Sequence, residues 1–364
     1  MLVVLPTYRR LEWLRYALHS LFRSELPSGE RPRLCVVSNY PPSHDQMAAL
    51  VDSVQKEYDS HQRWQVDLVR RPKTLDAIEN WYSAIREHAI LNEMVVLSGD
   101  DDLFTPWGLV HRHQALDASG ADMMVTRCCS GLFYVDSERC VLSGGLPKNR
   151  SYIDPVELDW SCIIGWGTPF IGNHVYRWTE TLTRALACAF EWCHKQEWLD
   201  ENTRTLMLPY YLPFAVKYVG GRLYGLGSTC AIRGMSLAER SESRYSRGWN
   251  SLFLNLCVYG VLTSPPLDSI AGLDGVRDEN LRVACRGYAS FFLDDRISRS
   301  ARRDTFARVH PPWRRFPVDV AFSFRAELIH VLRLRDLRLR GSIALGRIQP
   351  MKTTDLIEAL GTVS

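Results

Sequence analysis

The fold is indicated most clearly by VVLSGDDDLFTP, residues 95–106. The apolar run over residues 94–97 is typical of a buried strand in a parallel sheet. Three consecutive carboxylates follow it, Asp100, Asp101 and Asp102. Carboxylates at the carboxyl end of a buried strand lie where open α/β sheets bind their ligands. We therefore expect the acidic triplet to mark a functional site.

The three adjacent negative charges repel one another, and a protein interior does not tolerate them unpaired. A hard divalent cation, held by oxygen ligands, is the simplest group that would neutralise them. The alternative is a solvated acidic turn that only precedes the next helix. In either case, Thr105 is expected to cap that helix and Pro106 to occupy its first position. The triplet alone leaves both interpretations open.

Strands and helices alternate before this stretch. Apolar runs at residues 2–5, 34–37 and 66–69 predict three strands, and apolar residues at helical spacing follow each of them. Short links between such elements favour a parallel sheet with right-handed crossovers. The residues that follow the strands should therefore converge on one edge of the sheet, and they are Pro6, Thr7, Tyr8, Ser38, Asn39, Arg70, Arg71 and the acidic triplet.

Composition limits the class of protein. The chain has 364 residues, of which 46% are apolar, enough for one large domain or two modest ones. A net charge of +3 is too small to indicate a nucleic-acid partner. Ten cysteines without a C-x-x-C pair are typical of reduced cytosolic thiols. We expect no signal peptide, because the first strand starts at Leu2 with no charged region before it. We expect no spanning helix, because no apolar run reaches about 18 residues. The prediction is a cytoplasmic protein.

The remainder of the chain divides near residue 235. Before it, we predict a fifth strand at 122–126, a hairpin within 131–142, a loop at 144–167 that could cover a substrate, helices at 178–194 and 201–218, and short strands at 223–232.

Residues 236–364 are predicted to form a mainly helical C-terminal domain. A basic helix at 322–339 could contact an anionic membrane surface peripherally. We favour the alternative, an exposed helix that packs its leucines on this domain, because arginines and leucines do not separate into two faces.

Four segments together resemble glycosyltransferase family 2, whose enzymes have the GT-A fold. They are VVLPTYRRLEWLRYALHSL at residues 3–21, AIENWYSAI at 77–85, the acidic triplet with Pro106, and GGRLYGLGSTCAIR at 220–233. The resemblance covers about residues 1–235. It implies a Rossmann-like, mostly parallel α/β sheet flanked by helices, followed here by the C-terminal helical region.

The resemblance implies transfer of a sugar from a nucleotide-diphosphate donor, a UDP- or dTDP-sugar, to an acceptor hydroxyl. The acceptor would be a glycan, a lipid-linked molecule or a small molecule, in polysaccharide or glycoconjugate biosynthesis, with the enzyme in the cytoplasm or at the inner face of the membrane. The family's D-x-D pattern assigns Mn²⁺ or Mg²⁺ to Asp102 and Asp100. In an extended segment, side chains two residues apart point the same way, so Asp101 would face elsewhere, towards the ribose or the sugar.

The other site assignments also follow from the resemblance. Nucleotide-sugar binding is assigned to Pro6, Thr7, Tyr8, Asn39, Arg71, Asp100 and Asp101. The general base that an inverting transfer needs is assigned to Asp200, with Glu201 as second choice. Acidic residues at a helix start also stabilise the helix, which is the alternative for both. An exposed pair of arginines is the alternative for Arg70 and Arg71, and a turn aromatic packed on its own sheet is the alternative for Tyr8.

The chain departs from the family pattern at two positions. Arg9 replaces the family's asparagine in the P-T-Y-N-R turn, and Ser38-Asn39 replaces the acidic residue that meets the nucleotide base. Asparagine can donate and accept towards a pyrimidine, so base recognition is expected to survive, although this position does not identify the base. Trp160, Trp166 and His174 are candidates for an acceptor site, although core packing is favoured for each. His111 and His113 are expected to be exposed polar residues.

Two other functions remain open from the sequence. A non-catalytic nucleotide-sugar-binding or assembly subunit would bind the donor without turnover. A metal phosphohydrolase or nucleotidyltransferase could use the acidic residues, but it has no evident use for the Pro6-Thr7-Tyr8 turn. Inverting and retaining transfer share this half of the fold, so the stereochemistry is not determined.

Overall fold

The structure is a computed structural model. It describes residues 1–29, 31–59, 61–75, 77–142, 146–147, 151–166, 173–195, 207–236, 258–270, 272–285, 317–331 and 334–362.

The described strands form a single eleven-stranded sheet. They are β1 Leu2–Thr7, β2 Arg33–Ser38, β3 Gln65–Arg70, β4 Met94–Leu97, β5 Leu103–Phe104, β6 Met123–Tyr134, β7 Arg139–Leu142, β8 Val156–Glu157, β9 His174–Arg177, β10 Leu223–Ser236 and β11 Met351–Lys352. The main path runs β11-β7-β6-β9-β4-β1-β2-β3, and β10 pairs with β5, β6 and β8.

The helices flank this sheet. They are α1 Leu11–Phe22, α2 His44–Tyr58, α3 Ala77–His88, α4 Gly108–Ser119, α5 Ile163–Trp166, α6 Glu180–His194, α7 Leu208–Tyr218, α8 Asp274–Cys285, α9 Pro317–Val331, α10 Leu334–Ala344 and α11 Thr353–Gly361. The predicted helix at 322–339 corresponds to parts of α9 and α10. No helix among the described residues combines the length and apolar content needed to cross a bilayer.

The strands β1 to β4 are parallel, as predicted. β1 pairs in parallel with β2 and β4, and β2 pairs in parallel with β3. Their side chains alternate between the two faces, because successive residues of a strand point to opposite sides. Val3 and Leu5 face a core formed with α1, α2 and α4, whereas Leu2 and Val4 face a core formed with α3, α6 and α7. Burial on both faces explains the continuous apolar runs.

The segment after the acidic triplet differs from the prediction. Leu103 and Phe104 form β5, which pairs antiparallel with β10, and α4 begins only at Gly108. Thr105 is not the N-cap of α4, because its hydroxyl donates to the carbonyl of Thr229 at 3.1 Å. Competition from β10 therefore overrides the local capping signal.

The end of the described chain returns to the sheet. β11 pairs antiparallel with β7, and α11 follows it directly. Leu356, Ile357 and Leu360 of α11 pack in one cluster with Trp13 and Tyr16 of α1. This return was not predicted, and it joins the last helix to the region that contains the acidic triplet.

Candidate active site

The carboxyl ends of β1 to β4 bring the predicted site residues to one edge of the sheet. Thr7 lies opposite Ser38 in β2, and Ser38 lies opposite Arg70 in β3. The backbone N–H of Asn39 donates to the Thr7 carbonyl at 3.1 Å, and that of Arg71 donates to Ser38 at 3.0 Å. The loops that leave these strands therefore start from a fixed backbone frame.

The acidic triplet forms a turn and not an extended segment. Asp100 and Asp101 both lie against one nitrogen of Arg10, Nη1, at 3.4 Å and 3.0 Å. Asp100 also accepts the backbone N–H of Tyr8 at 3.3 Å. The expectation that Asp101 faces away from Asp100 is therefore wrong, because the turn places both carboxylates on the Arg10 guanidinium.

Asp102 is bound by backbone groups instead. Its Oδ2 accepts the N–H of Gly99 at 3.1 Å, and its Oδ1 accepts the N–H of Gly234 at 3.1 Å. A Cβ on Gly234 would lie 1.7 Å from the carbonyl oxygen of Asp101, so only glycine permits this approach of β10. Sequence analysis missed Gly234, although it follows the last recognised segment directly.

Burial controls the ionisation of two of these carboxyls. Desolvation raises the pKa of Asp100, against the opposing effects of Arg10, the Thr7 hydroxyl and the Tyr8 N–H. Desolvation also raises the pKa of Asp102, against the N–H groups of Gly234 and Gly99 and the charges of Arg233 and Arg112. The ionised forms are therefore under-compensated, and an added cation at this turn would favour them.

The donor set suits a cation that is only partly coordinated by protein. Within the described residues there is no group of three or more His, Cys, Asp or Glu side chains arranged to hold a metal. Mg²⁺ is commonly held by one or two carboxylates, with phosphate oxygens and waters completing the shell. Asp102 and Asp100 fit that pattern, because the oxygens that accept N–H groups retain further lone pairs.

An exposed aromatic rim borders the turn. Tyr8 is 43% exposed, and its ring meets the ring of Tyr40 edge to face, with centroids 5.5 Å apart. The guanidinium carbon of Arg9 lies 4.1 Å from the Tyr40 centroid and 5.0 Å from that of Tyr8. Pro6 and Thr7 are buried, so among the residues of the P-T-Y turn only Tyr8 offers a large accessible surface.

Asn39 and Arg71 are already engaged by other groups. Asn39 donates from Nδ2 to the Leu75 carbonyl and accepts the Leu75 N–H at Oδ1, both at 2.9 Å. Arg71 donates to Asn80 at 3.1 Å and to both carboxylate oxygens of Glu87 at 2.9 Å. Arg71 therefore joins the end of β3 to α3, and Asn39 joins the end of β2 to the backbone of Leu75. Their assignment to nucleotide binding stays a prediction.

The other candidates are distributed as follows. Asp200 and Glu201, the predicted general base and its alternative, lie outside the described residues. His174 is fully buried beside Tyr176, with 3.1 Å between Nδ1 and the hydroxyl, which places it in the core. Trp160 stacks on Phe214, with centroids 6.3 Å apart. His111 is buried against Tyr152, so its predicted exposure is wrong.

Two aromatic side chains, Tyr134 and Trp13, pack beside the acidic turn and Arg10. The Tyr134 hydroxyl donates to the Asp101 carbonyl at 3.1 Å, and its ring stacks on Trp13 with centroids 5.5 Å apart. The Arg10 guanidinium lies 5.7 Å from the Trp13 ring. Both aromatic residues belong to the cluster that includes α11. The C-terminal helix is thus in packing contact with the supports of the turn.

Comparisons with known proteins give a likeness in fold. No protein-family model and no curated protein matches the sequence. The structure of TarS of S. aureus, residues 1–349, in complex with UDP-GlcNAc superposes with a TM-score of 0.50 at 15% identity, covering 95% of this chain and 91% of that chain. The chain has a GT-A fold, as predicted.

Two further structures lie in the same range. The complex of the same TarS fragment with UDP gives a TM-score of 0.49 at 15% identity and the same coverage. The mannosyltransferase PcManGT from Pyrobaculum calidifontis, in complex with GDP-Man and Mn²⁺, gives 0.46 at 13% identity, covering 91% of this chain and 86% of that chain.

Proposed function

We propose that the protein is a glycosyltransferase that moves a sugar from a nucleotide-diphosphate donor to an acceptor hydroxyl. The observation that carries the proposal is the acidic turn at the end of β4, backed by Arg10 and bordered by the Tyr8–Tyr40 rim. Open α/β sheets bind ligands at this edge. The likeness in fold to TarS, a protein seen with UDP-GlcNAc, supports a nucleotide-sugar donor.

The base and ribose would lie against the rim formed by Tyr8 and Tyr40, because flat aromatic faces stack on nucleotide bases. The diphosphate would lie over the acidic turn. Mn²⁺ or Mg²⁺ would be held by Asp102 and Asp100 and, when bound, would neutralise the charge that develops on the leaving diphosphate. Asp101 would keep its ion pair with Arg10, whose guanidinium also contacts Asp100.

We propose an inverting transfer in which Asp200, or Glu201 as the alternative, takes the proton of the acceptor hydroxyl. A carboxylate within hydrogen-bond reach of that hydroxyl is the minimum requirement for this step. Several further points stay predictions from sequence. They are a glycan, lipid-linked or small-molecule acceptor, a role in polysaccharide or glycoconjugate biosynthesis, a cytoplasmic location, and peripheral membrane contact through residues 322–339.

Donor binding is tested first. Unfolding of the protein is followed by fluorescence with UDP-GlcNAc, a dTDP-sugar or GDP-mannose, each with and without Mn²⁺. We expect a metal-dependent rise in Tm with at least one donor, and we expect Asp102→Asn to abolish it. Asp52→Asn, on the exposed surface of α2, is the matched control and should retain the rise. Absence of a metal-dependent shift with every donor would contradict the proposal.

Turnover is tested separately, by release of the nucleoside diphosphate in the presence of candidate acceptors. We expect Asp200→Ala to abolish release while leaving the Tm rise intact. Donor binding without release, unchanged by Asp200→Ala, would identify the non-catalytic binding subunit. Release of inorganic phosphate would identify a hydrolase.

A further inference from the structure

We propose that Arg9 selects the base of the donor. It would favour uracil, thymine and guanine, which carry a carbonyl oxygen at C4 or C6, over cytosine and adenine, which carry an amino group there. The inference rests on the proposed function and adds a specificity-determining residue to it. Arg9 is one of the two positions where the chain departs from the family pattern that it resembles.

The backbone of Arg9 is strained. Its φ is +61°, in the left-handed region that side chains other than Gly, Asn and Asp adopt at a cost. An asparagine would tolerate this conformation better. Residues held in sparsely populated backbone conformations cluster at ligand-binding sites. Because the backbone conformation disfavours arginine, we infer that the Arg9 side chain has a role in ligand binding.

Two tyrosine rings hold the Arg9 side chain at the rim. The guanidinium carbon lies within stacking distance of both Tyr40 and Tyr8, at 4.1 Å and 5.0 Å from their centroids. Cation–π contact limits the rotation of a side chain that would otherwise move freely in solvent. Tyr8 and Arg9 are both exposed. In the proposed complex, a base that stacks on the exposed part of Tyr8 would lie beside the Arg9 guanidinium.

Asn39, which the resemblance assigns to nucleotide binding, is buried and hydrogen-bonded to other groups. Asn39 is 5% exposed, and its amide is used in both directions by the backbone of Leu75. Ser38 beside it is fully buried. Asn39 keeps a second N–H and a second lone pair, but its low exposure limits their access to a base, whereas Arg9 is already at the surface of the rim.

The chemistry of the guanidinium sets the preference. Arginine only donates hydrogen bonds, so it matches an acceptor such as O4 of uracil or thymine, or O6 and N7 of guanine. The amino groups of cytosine and adenine would present a donor to a donor. A bidentate contact with O6 and N7 of guanine contributes enough discrimination for a preference of roughly tenfold or more. Uracil and thymine offer one acceptor at this edge, O4, so their preference over cytosine rests on that contact and on the mismatched amino group of cytosine.

The test uses the full chain with UDP, GDP, CDP and ADP, each with Mn²⁺, and measures affinity by calorimetry. We expect UDP and GDP to bind the wild-type protein roughly tenfold more tightly than CDP and ADP. Arg9→Asn should bring the four affinities to within about threefold by weakening UDP and GDP. Its Tm should not fall, because asparagine relieves the backbone strain. Arg9→Gln is a second variant without the planar fork and should behave alike in affinity.

Arg70→Asn is the matched control. Arg70 is an exposed arginine at the end of the neighbouring strand β3, and it pairs with Asp45 at 3.2 Å. Its loss should leave the base preference unchanged. If Arg9→Asn weakened all four nucleotides equally, Arg9 would be a phosphate contact and the inference would be overturned, while the proposed function would stand. Equal binding of all four nucleotides by the wild-type protein would overturn it in the same way. Failure of every nucleotide to bind would overturn both.

Discussion

Asp102 accepts a hydrogen bond at 3.1 Å from the backbone N–H of Gly234, a residue 132 positions later in the chain. This bond fastens the acidic turn at the end of β4 to the far end of β10. The two segments approach so closely that a Cβ on Gly234 would meet the Asp101 carbonyl at 1.7 Å. The geometry of the turn is therefore fixed by tertiary contact with β10 as well as by its own sequence.

We expect Gly234→Ala to lower the free energy of unfolding by about 1–3 kcal/mol or more, because the added methyl meets backbone that cannot move aside. Displacement of Asp102 should also remove the rise in Tm given by a nucleotide sugar with Mn²⁺. Denaturant unfolding and thermal shift measure the two effects. Gly275→Ala in α8 is the control, since no atom of the described residues lies within 4 Å of the place its methyl group would take, and alanine favours a helix. A stable, donor-binding Gly234→Ala protein would contradict this account.

Arg10 is the cation shared by Asp100 and Asp101, so Arg10→Met should leave two carboxylates without their ion pair. We expect a loss of about 1–3 kcal/mol in the free energy of unfolding, since each carboxylate is largely shielded from water. If a divalent cation binds at this turn, Mn²⁺ should raise the Tm of the variant more than that of the wild-type protein. Equal effects of Mn²⁺ on both proteins would show that Arg10 and the cation act on different carboxylates.

His19 lies outside the candidate site and makes the free energy of unfolding depend on pH. It is 2% exposed and stacks on Tyr58, with ring centroids 3.6 Å apart. Burial lowers the pKa of His19 to about 4 from its usual 6.5. The folded state binds fewer protons than the unfolded state between these values, so the stability present above pH 6.5 is lost as the pH falls towards 4.

Replacement by a ring that does not titrate should remove this loss. We expect His19→Phe to gain stability relative to the wild-type protein as the pH falls from 6.5 to 4, by at most about 3 kcal/mol. Denaturant unfolding at a series of pH values measures the difference between the two proteins. A difference that stays constant over this range would show that His19 is not the group responsible.

The sequence was sufficient to predict the parallel strands and the edge on which they converge, because burial on both faces leaves continuous apolar runs such as residues 94–97. It also placed the acidic triplet at that edge. It did not predict the orientation of the three carboxylates, which depends on Arg10 and on Gly234. Such partners are set by tertiary packing, for which a local pattern carries no signal.

The same limit explains why the sequence did not predict the partners of the residues near the rim. Asn39 was predicted to face a base, but the residue that occupies its amide, Leu75, comes 36 positions later and has no polar side chain to reveal the contact. Arg71 has its carboxylate partner on α3, at Glu87. The packing of α11 on α1 joins residues that lie more than 300 positions apart. In each case the decisive group is a backbone amide or a distant side chain.

Asn39 therefore provides a test of both the fold and the base-selection inference. Asn39→Asp restores the acidic residue of the family pattern, but it removes the donor to the Leu75 carbonyl and places a charge at a site only 5% exposed. We expect a loss of about 1–3 kcal/mol in the free energy of unfolding. If the base is read by Arg9, Asn39→Asp should not tighten UDP binding. Calorimetry with UDP, beside denaturant unfolding, measures both quantities, and a tighter UDP complex would return base recognition to the end of β2.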